Sequence, residues 1–233
     1  MRKQIPNIIT LLNLFSGTIA ITHAFNGNFL GVVIWVVIAA IFDFFDGLAA
    51  RLLNAYSPMG KELDSLADIV SFGVAPASAL YILMRDNLNY PDTLQSINHS
   101  IPYIAFLIPI FAAYRLAKFN IDTRQSNYFI GLPTPANGLF WISYCYTLNK
   151  FVALNELVVY ITVIAIAIMS FIMISEITMF SFKTKNKRIK GNEKQIILII
   201  LFIALVSIFG VAGIALSIVA YIFISIFSTS YKT

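Results

Sequence analysis

Apolar residues fill this chain in long runs separated by short polar stretches, and most of the runs approach the roughly 20 residues that a helix needs to cross a bilayer. Candidate helices run over 8–25, 29–53, 63–84, 101–119, 133–150, 156–181, 195–210 and 212–229. The last two come from one tract. Ile196 to Ser228 is almost uninterrupted, and at about 1.5 Å per residue a single helix would reach about 50 Å, longer than one ordinary crossing. Splitting it near Gly210 and Gly213 gives two short helices. The pattern predicts an all-α, polytopic membrane helical bundle of about eight transmembrane helices, or seven if the last tract stays whole. No polar stretch is long enough to fold separately, so residues 1–233 read as a single integral-membrane domain.

Composition agrees: 59% of residues are hydrophobic and 12% charged, against about 25% charged in soluble domains. The opening MRKQIPNIITLLNLFSGTIA has a basic start and an apolar run like a signal peptide. Polar residues interrupt the run and no cleavage site is evident, so it reads as an uncleaved first helix. The lone Cys145 excludes an intramolecular disulfide and reads as packing. The net charge of +5 does not point to nucleic acid, because no basic and aromatic residues interleave on a soluble surface. An anionic membrane face is the expected partner. With the N-terminus inside, Arg2, Lys3, Arg51, Lys61, Arg115, Lys118, Arg124, Lys232 and the cluster KTKNKRIKGNEK (183–194) fall on the inner side, and only Arg85 and Lys150 on the outer. The positive-inside rule selects that topology, and the cluster reads as its anchor.

One stretch breaks the apolar pattern: DFFDGLAARLLNAYSPMGKELDSLAD, residues 43–68. If the second helix continues to about Leu53, Asp43, Asp46, Gly47 and Ala50 share a face. Pro58 and Gly60 punctuate the return, and the third helix, from about Glu62 or Leu63, carries Asp64 and Asp68 four apart. A connection of about ten residues brings all four carboxylates to one side of the membrane. Arg51 cannot balance four negative charges, whereas two divalent cations can, and oxygen ligands favour Mg²⁺ or Mn²⁺. His23 and His99 fall at the opposite side. Gly47 and Ala50 are open to two readings, close helix packing or room for a ligand beside the carboxylates.

The order Asp43, Asp46-Gly47, Ala50-Arg51, Gly60, Asp64, Asp68 resembles the signature of the CDP-alcohol phosphatidyltransferases at every position. The resemblance implies a catalytic domain with its core at 43–68, a CDP-linked lipid donor and an alcohol acceptor. It implies a two-metal centre on Asp43, Asp46, Asp64 and Asp68, Asp68 as general base, and Gly47, Ala50 and Arg51, with Gly60, near the CDP portion. Such a centre clamps a diphosphate without a covalent nucleophile. PNIITLLNLFSG (6–17) returns Asn7, Thr10 and Asn13 at three-residue intervals after Pro6, a polar stripe suited to border the donor pocket.

RLAKFN (115–120) and FIGLPTPANG (129–138) resemble the phosphatidylserine synthase branch of that family. By residue chemistry alone they are a basic helix end and a Gly/Pro-constrained re-entry. The resemblance makes Arg115, Lys118 and Asn137 acceptor-side candidates, with Lys118 the less secure clamp because lysine lacks the planar fork of arginine. Glu176 is expected near the end of the sixth helix. The implied reaction joins CDP-diacylglycerol and L-serine at the cytoplasmic face of a bacterial inner membrane, releasing CMP and leaving phosphatidylserine in the bilayer lipid. Phosphatidylglycerophosphate synthase, or another CDP-alcohol phosphatidyltransferase using a different alcohol, is the nearest rival, although a phosphate-bearing acceptor favours more convergent cations. A divalent-cation transporter is the rival of another class, but leaves Gly47, Ala50 and Arg51 without a role. Bundle packing permits a homodimer without locating its interface.

Overall fold

A computed structural model describes residues 4–122, 129–151, 155–179 and 193–229. Arg2, Lys3, Arg124, Lys232 and the basic cluster from Lys183 to Lys190 lie outside the described residues.

The expected helices form, with informative shifts at their ends. Helices α1 (Ile5–Phe25) and α2 (Phe29–Leu52) make a tight hairpin closed by Asn28, whose side chain accepts from the Gly31 amide. The third helix starts earlier than expected, at Pro58. Ser57 is extended and its hydroxyl accepts from the Gly60 amide, so Ser57-Pro58 opens α3 (Pro58–Asp68) where the sequence suggested a turn. The chain then runs through a π-helical turn, Ile69–Val74, into α4 (Ala75–Asp86). A 3₁₀ turn at Ile101–Phe106 leads into α5 (Leu107–Ile121), and α6 (Thr134–Phe151) follows.

Helix α7 (Glu156–Ile174) stops short of the expected 181, at Ser175. Beyond it, β2 (Thr178–Met179) pairs antiparallel with β1 (Phe129–Ile130), Phe129 opposite Met179. Glu176 therefore sits past the helix end, not on it. The C-terminal tract divides into α8 (Glu193–Phe209) and α9 (Ala212–Thr229). Gly210 makes the break with φ +59°, in the left-handed region that glycine enters without penalty.

The chain is thus an all-α, multi-spanning bundle with one two-residue ladder. Among the described residues, five helical segments are long and apolar enough to cross a membrane: Ile5–Phe25, Phe29–Leu52, Pro58–Asp86, Ile101–Ile121 and Glu156–Ile174. That count falls short of the expected eight because α8 and α9 are short and α6 carries polar residues through its length. Apolar side chains such as Phe15, Phe44, Ile110, Ile164 and Phe171 face outward, as a lipid solvent allows.

The rod Pro58–Asp86 is the centre of the bundle. Of its most apolar window 72% is buried, against 33% for α1 and 39% for α2. Its neighbours approach through small residues. A Cβ on Gly17 of α1 would fall 2.3 Å from Ser71 Oγ, and one on Gly138 of α6 would fall 2.8 Å from Phe72 Cα. Both contacts fall on the π turn directly after Asp68. Close packing there fixes the rotation of the helix that carries Asp64 and Asp68.

Candidate functional site

The carboxylates of Asp43, Asp64 and Asp68 converge, each offering an oxygen within 4.8 Å of the other two. Asp43 comes from the last three turns of α2 and the other two from α3, so the short connection at 53–57 brings two helix ends side by side. Asp46 stands beside this group without joining it. Its buried carboxylate accepts a 2.7 Å hydrogen bond from the Thr10 hydroxyl of α1.

None of the four aspartates forms an ion pair among the described residues. The salt bridges found there join Arg85 to Asp86 and Lys118 to Glu176. Arg51 does not serve as counterion: its side chain is exposed and its Nε donates to the Gly47 carbonyl at 3.0 Å. Grouped carboxylates in so apolar a setting repel one another and lose hydration, so they call for a cation. The donors are all carboxylate oxygens, which suits a hard divalent ion such as Mg²⁺ or Mn²⁺ and disfavours a soft metal.

A cavity of about 180 Å³ opens beside the cluster. Asp46, Asp64, Asn7, Thr10, Gly47, Ala50 and Gly60 all line it, so α1, α2 and α3 assemble the residues expected to border the donor. Arg51 does not line it. Gly47 decides between the two readings of its smallness, since a Cβ there would meet nothing within 4 Å. It leaves space and does not serve close packing. Tyr56, Ser57 and Lys61 also line the cavity and were not foreseen. Their signal was present in AYSPMGK, where the helix-capping Ser-Pro pair puts Lys61 in the first turn of α3.

Asn13 was seen only as part of a polar stripe, but it contacts the cluster itself. Fully buried, it points Nδ2 at Asp68 Oδ1, 3.4 Å away, while Ser71 Oγ donates to its backbone carbonyl at 3.0 Å. A second tie crosses from α5, where Lys61 Nζ donates to the Asn120 carbonyl at 2.6 Å and Asn120 Nδ2 donates to Ser65 Oγ at 3.0 Å.

The acceptor-side candidates separate. Arg115 is buried, lies over the Phe119 ring and donates from Nη1 to Thr134 Oγ1 at 3.1 Å. Its Nε has no hydrogen-bond partner among the described residues, and neither carboxamide atom of buried Asn137 has one. Lys118 is instead paired with Glu176 in a half-exposed bridge that ties the end of α5 to the segment before β2. Orphaned polar atoms are rare in protein interiors, and these sit at Arg115 of α5 and Asn137 of α6.

The comparisons with known proteins agree with this geometry. The family model for CDP-alcohol phosphatidyltransferase matches residues 3–169. A CDP-diacylglycerol–serine O-phosphatidyltransferase of Bacillus subtilis is 37% identical over 147 residues, 63% of this chain and 78% of that relative. One from Helicobacter pylori is 34% identical over 204 residues, 86% of this chain and 80% of the relative. A third, from Methanocaldococcus jannaschii, is 34% identical over 164 residues, 70% and 71% of the two chains. With its acidic core, its helical bundle and most of its length matched, the chain belongs to the CDP-alcohol phosphatidyltransferase family.

Proposed function

We propose that this protein transfers the phosphatidyl group of CDP-diacylglycerol to L-serine, giving phosphatidylserine and CMP. The observation that carries the reading is the cluster of buried Asp68 with half-buried Asp43 and Asp64, unpaired with any cation among the described residues and adjoining a cavity that Gly47 leaves open. The serine specificity named in the relatives supports serine as acceptor over glycerol 3-phosphate.

In this reading residues 1–233 act as one integral catalytic domain. CDP-diacylglycerol enters from the bilayer with its acyl chains in lipid. Asn7, Thr10, Asp46, Gly47, Ala50 and Gly60 hold the CDP moiety, with Arg51 at its rim. Two divalent cations, Mg²⁺ or Mn²⁺, held by Asp43, Asp46, Asp64 and Asp68, supply charge neutralisation at the diphosphate and the leaving group when bound. Asn13 occupies Asp68 Oδ1, which leaves Oδ2 to take the proton of the serine hydroxyl. The serine oxygen attacks the phosphorus attached to diacylglycerol, CMP departs, and phosphatidylserine remains in the membrane. Arg115 receives the serine carboxylate and Asn137 Oδ1 its ammonium, which gives partners to atoms otherwise orphaned.

The remaining crossings in this reading are α6, α8 and α9, for a total of eight. The aspartate end faces the cytoplasm of a bacterial cell, because Lys61, Arg115 and Lys118 stand at that end and Arg85 and Lys150 at the other. Cysteine labelling from either face checks the crossings and their direction.

The deciding experiment incubates purified protein and Mg²⁺ or Mn²⁺ with CDP-diacylglycerol and either L-serine or glycerol 3-phosphate. Serine-dependent CMP release is expected. Product from glycerol 3-phosphate alone overturns the assignment.

A further inference from the structure

Lys61 lies between Gly60 and Asp64 of the acidic motif without belonging to it, and by sequence it counts only toward the basic inner side. The fold gives it a more particular place. Among the described residues that line the cavity beside Asp46 and Asp64, Lys61 alone carries a positive charge. Arg51, the cation that the motif implies near the CDP portion, does not line that cavity and is turned to the Gly47 carbonyl. On α3, Lys61 precedes Asp64 by three residues and Asp68 by seven, so it shares their helix face.

Its ammonium is held from across the bundle. Nζ donates to the Asn120 carbonyl at 2.6 Å, in the last turn of α5, where carbonyls lack partners within the helix and the helix dipole favours a cation. Asn120 Nδ2 in turn donates to Ser65 Oγ at 3.0 Å, and Ser65 Oγ donates to the Lys61 carbonyl at 3.3 Å. This ring of bonds restrains the lysine between α3 and α5. Among the described residues it engages one of the three donors that an ammonium carries, and two remain.

We propose that Lys61 binds the diphosphate of the donor, its two remaining N–H groups donating to phosphate oxygens while the third keeps the side chain on the end of α5. This inference rests on the transferase reading above and names the side chain that answers the diphosphate's charge. Cations held by the aspartates are already matched by those carboxylates, so a diphosphate beside them calls for a further positive charge from the protein. A compact ammonium on a flexible stem suits it, because a phosphate chain needs charge and several donors more than one fixed fork.

The test uses the full-length protein in detergent with Mn²⁺, CDP as a soluble diphosphate probe for calorimetry, and CDP-diacylglycerol with serine for turnover. Lys61→Gln keeps a hydrogen-bond donor for the Asn120 carbonyl but loses the charge. It is expected to weaken CDP binding and raise the KM for CDP-diacylglycerol about tenfold, the range for a lost hydrogen bond to a charged group, with the serine KM within about twofold. Lys61→Arg restores the charge and brings both donor values to within about threefold of wild type. Asn120→Ala cuts the tie to Ser65, leaves the lysine and the backbone carbonyl in place, and keeps CDP binding within about twofold. Unchanged CDP affinity in Lys61→Gln overturns the proposal. So does an equal loss in Asn120→Ala, or a parallel rise in both substrates' KM values in Lys61→Gln, since either makes the lysine a strut between α3 and α5. CDP binding by the wild-type protein without serine-dependent CMP release overturns the serine reading alone, and Lys61 is then judged on CDP affinity. Absence of both overturns the inference and the transferase reading together.

Discussion

Two cavities lie at opposite ends of the rod Pro58–Asp86, and the larger is not the one with the chemistry. At the far end a cavity of about 500 Å³ is lined by Tyr81, Arg85, Tyr90, Asn98, His99 and Tyr103, among others. At the near end the cavity beside Asp46 and Asp64 holds about 180 Å³. The difference lies in how charge is compensated. Arg85 is held bidentately by Asp86 at 2.6 and 2.7 Å and its guanidinium lies over Tyr81, so the far end is electrically satisfied and half-exposed to solvent. Near the smaller cavity three converging carboxylates find no ion-pair partner among the described residues. Unbalanced charge on half-buried and buried carboxylates, more than open volume, marks the place where a cation and a diphosphate fit.

The contrast is broken most directly at the aspartates. Asp68→Asn and Asp64→Asn are each expected to lower kcat by roughly 10²- to 10⁴-fold. Thermal stabilisation by Mg²⁺ or Mn²⁺ should be clear in the wild-type protein and lost with Asp64→Asn. Near-normal turnover in a folded Asp68→Asn protein would reject its role as base. Chelation of divalent ions should abolish turnover of the wild-type protein and readdition restore it, measured as CMP release.

The next effect concerns the cavity wall. Gly47→Leu projects a side chain into space that is open in the native protein and should raise the KM for CDP-diacylglycerol about tenfold or more while leaving that for serine unchanged. Thr10→Val deletes the hydrogen bond to Asp46 and should cost about 1.5–3 kcal/mol, read as a lower melting temperature or weaker donor binding. The smallest effect belongs to the far cavity. Tyr103→Ala removes an aromatic wall there, where the Tyr103 and Tyr81 ring centroids stand 5.2 Å apart, and should leave both KM values within about twofold. A large loss of transfer activity in a folded Tyr103→Ala protein would erase the distinction between the two ends.

Much of the near end was legible because helix periodicity and motif spacing are local properties. Asp43 and Asp46 on α2, and Asp64 and Asp68 on α3, follow from residues three and four apart and from the short connection. The stripe Asn7, Thr10, Asn13 was likewise visible, though not that Thr10 binds Asp46 or that Asn13 reaches Asp68. Those pairings join α1 to the second and third helices, and periodicity within one helix cannot say which faces meet. Arg51 illustrates the same limit. Its place in the motif implies a position near the CDP portion, but its side chain turns back to the Gly47 carbonyl of its own helix. Lys118 and Glu176 stand far apart in the chain, yet they form one bridge.

The sequence by itself determined the solvent, the helices and the chemical kind of the site. Long apolar runs require a lipid environment in which backbone groups are satisfied within helices, and four carboxylates in such a chain require a cation. Only the tertiary structure decided which carboxylates meet, that Gly47 opens on empty space, and that Arg115 turns inward while Lys118 turns to Glu176. Those outcomes depend on the rotation of one helix against another. That rotation is set by contacts such as Gly17 on Ser71 and Gly138 on Phe72, between residues distant in the chain and unconstrained by local pattern.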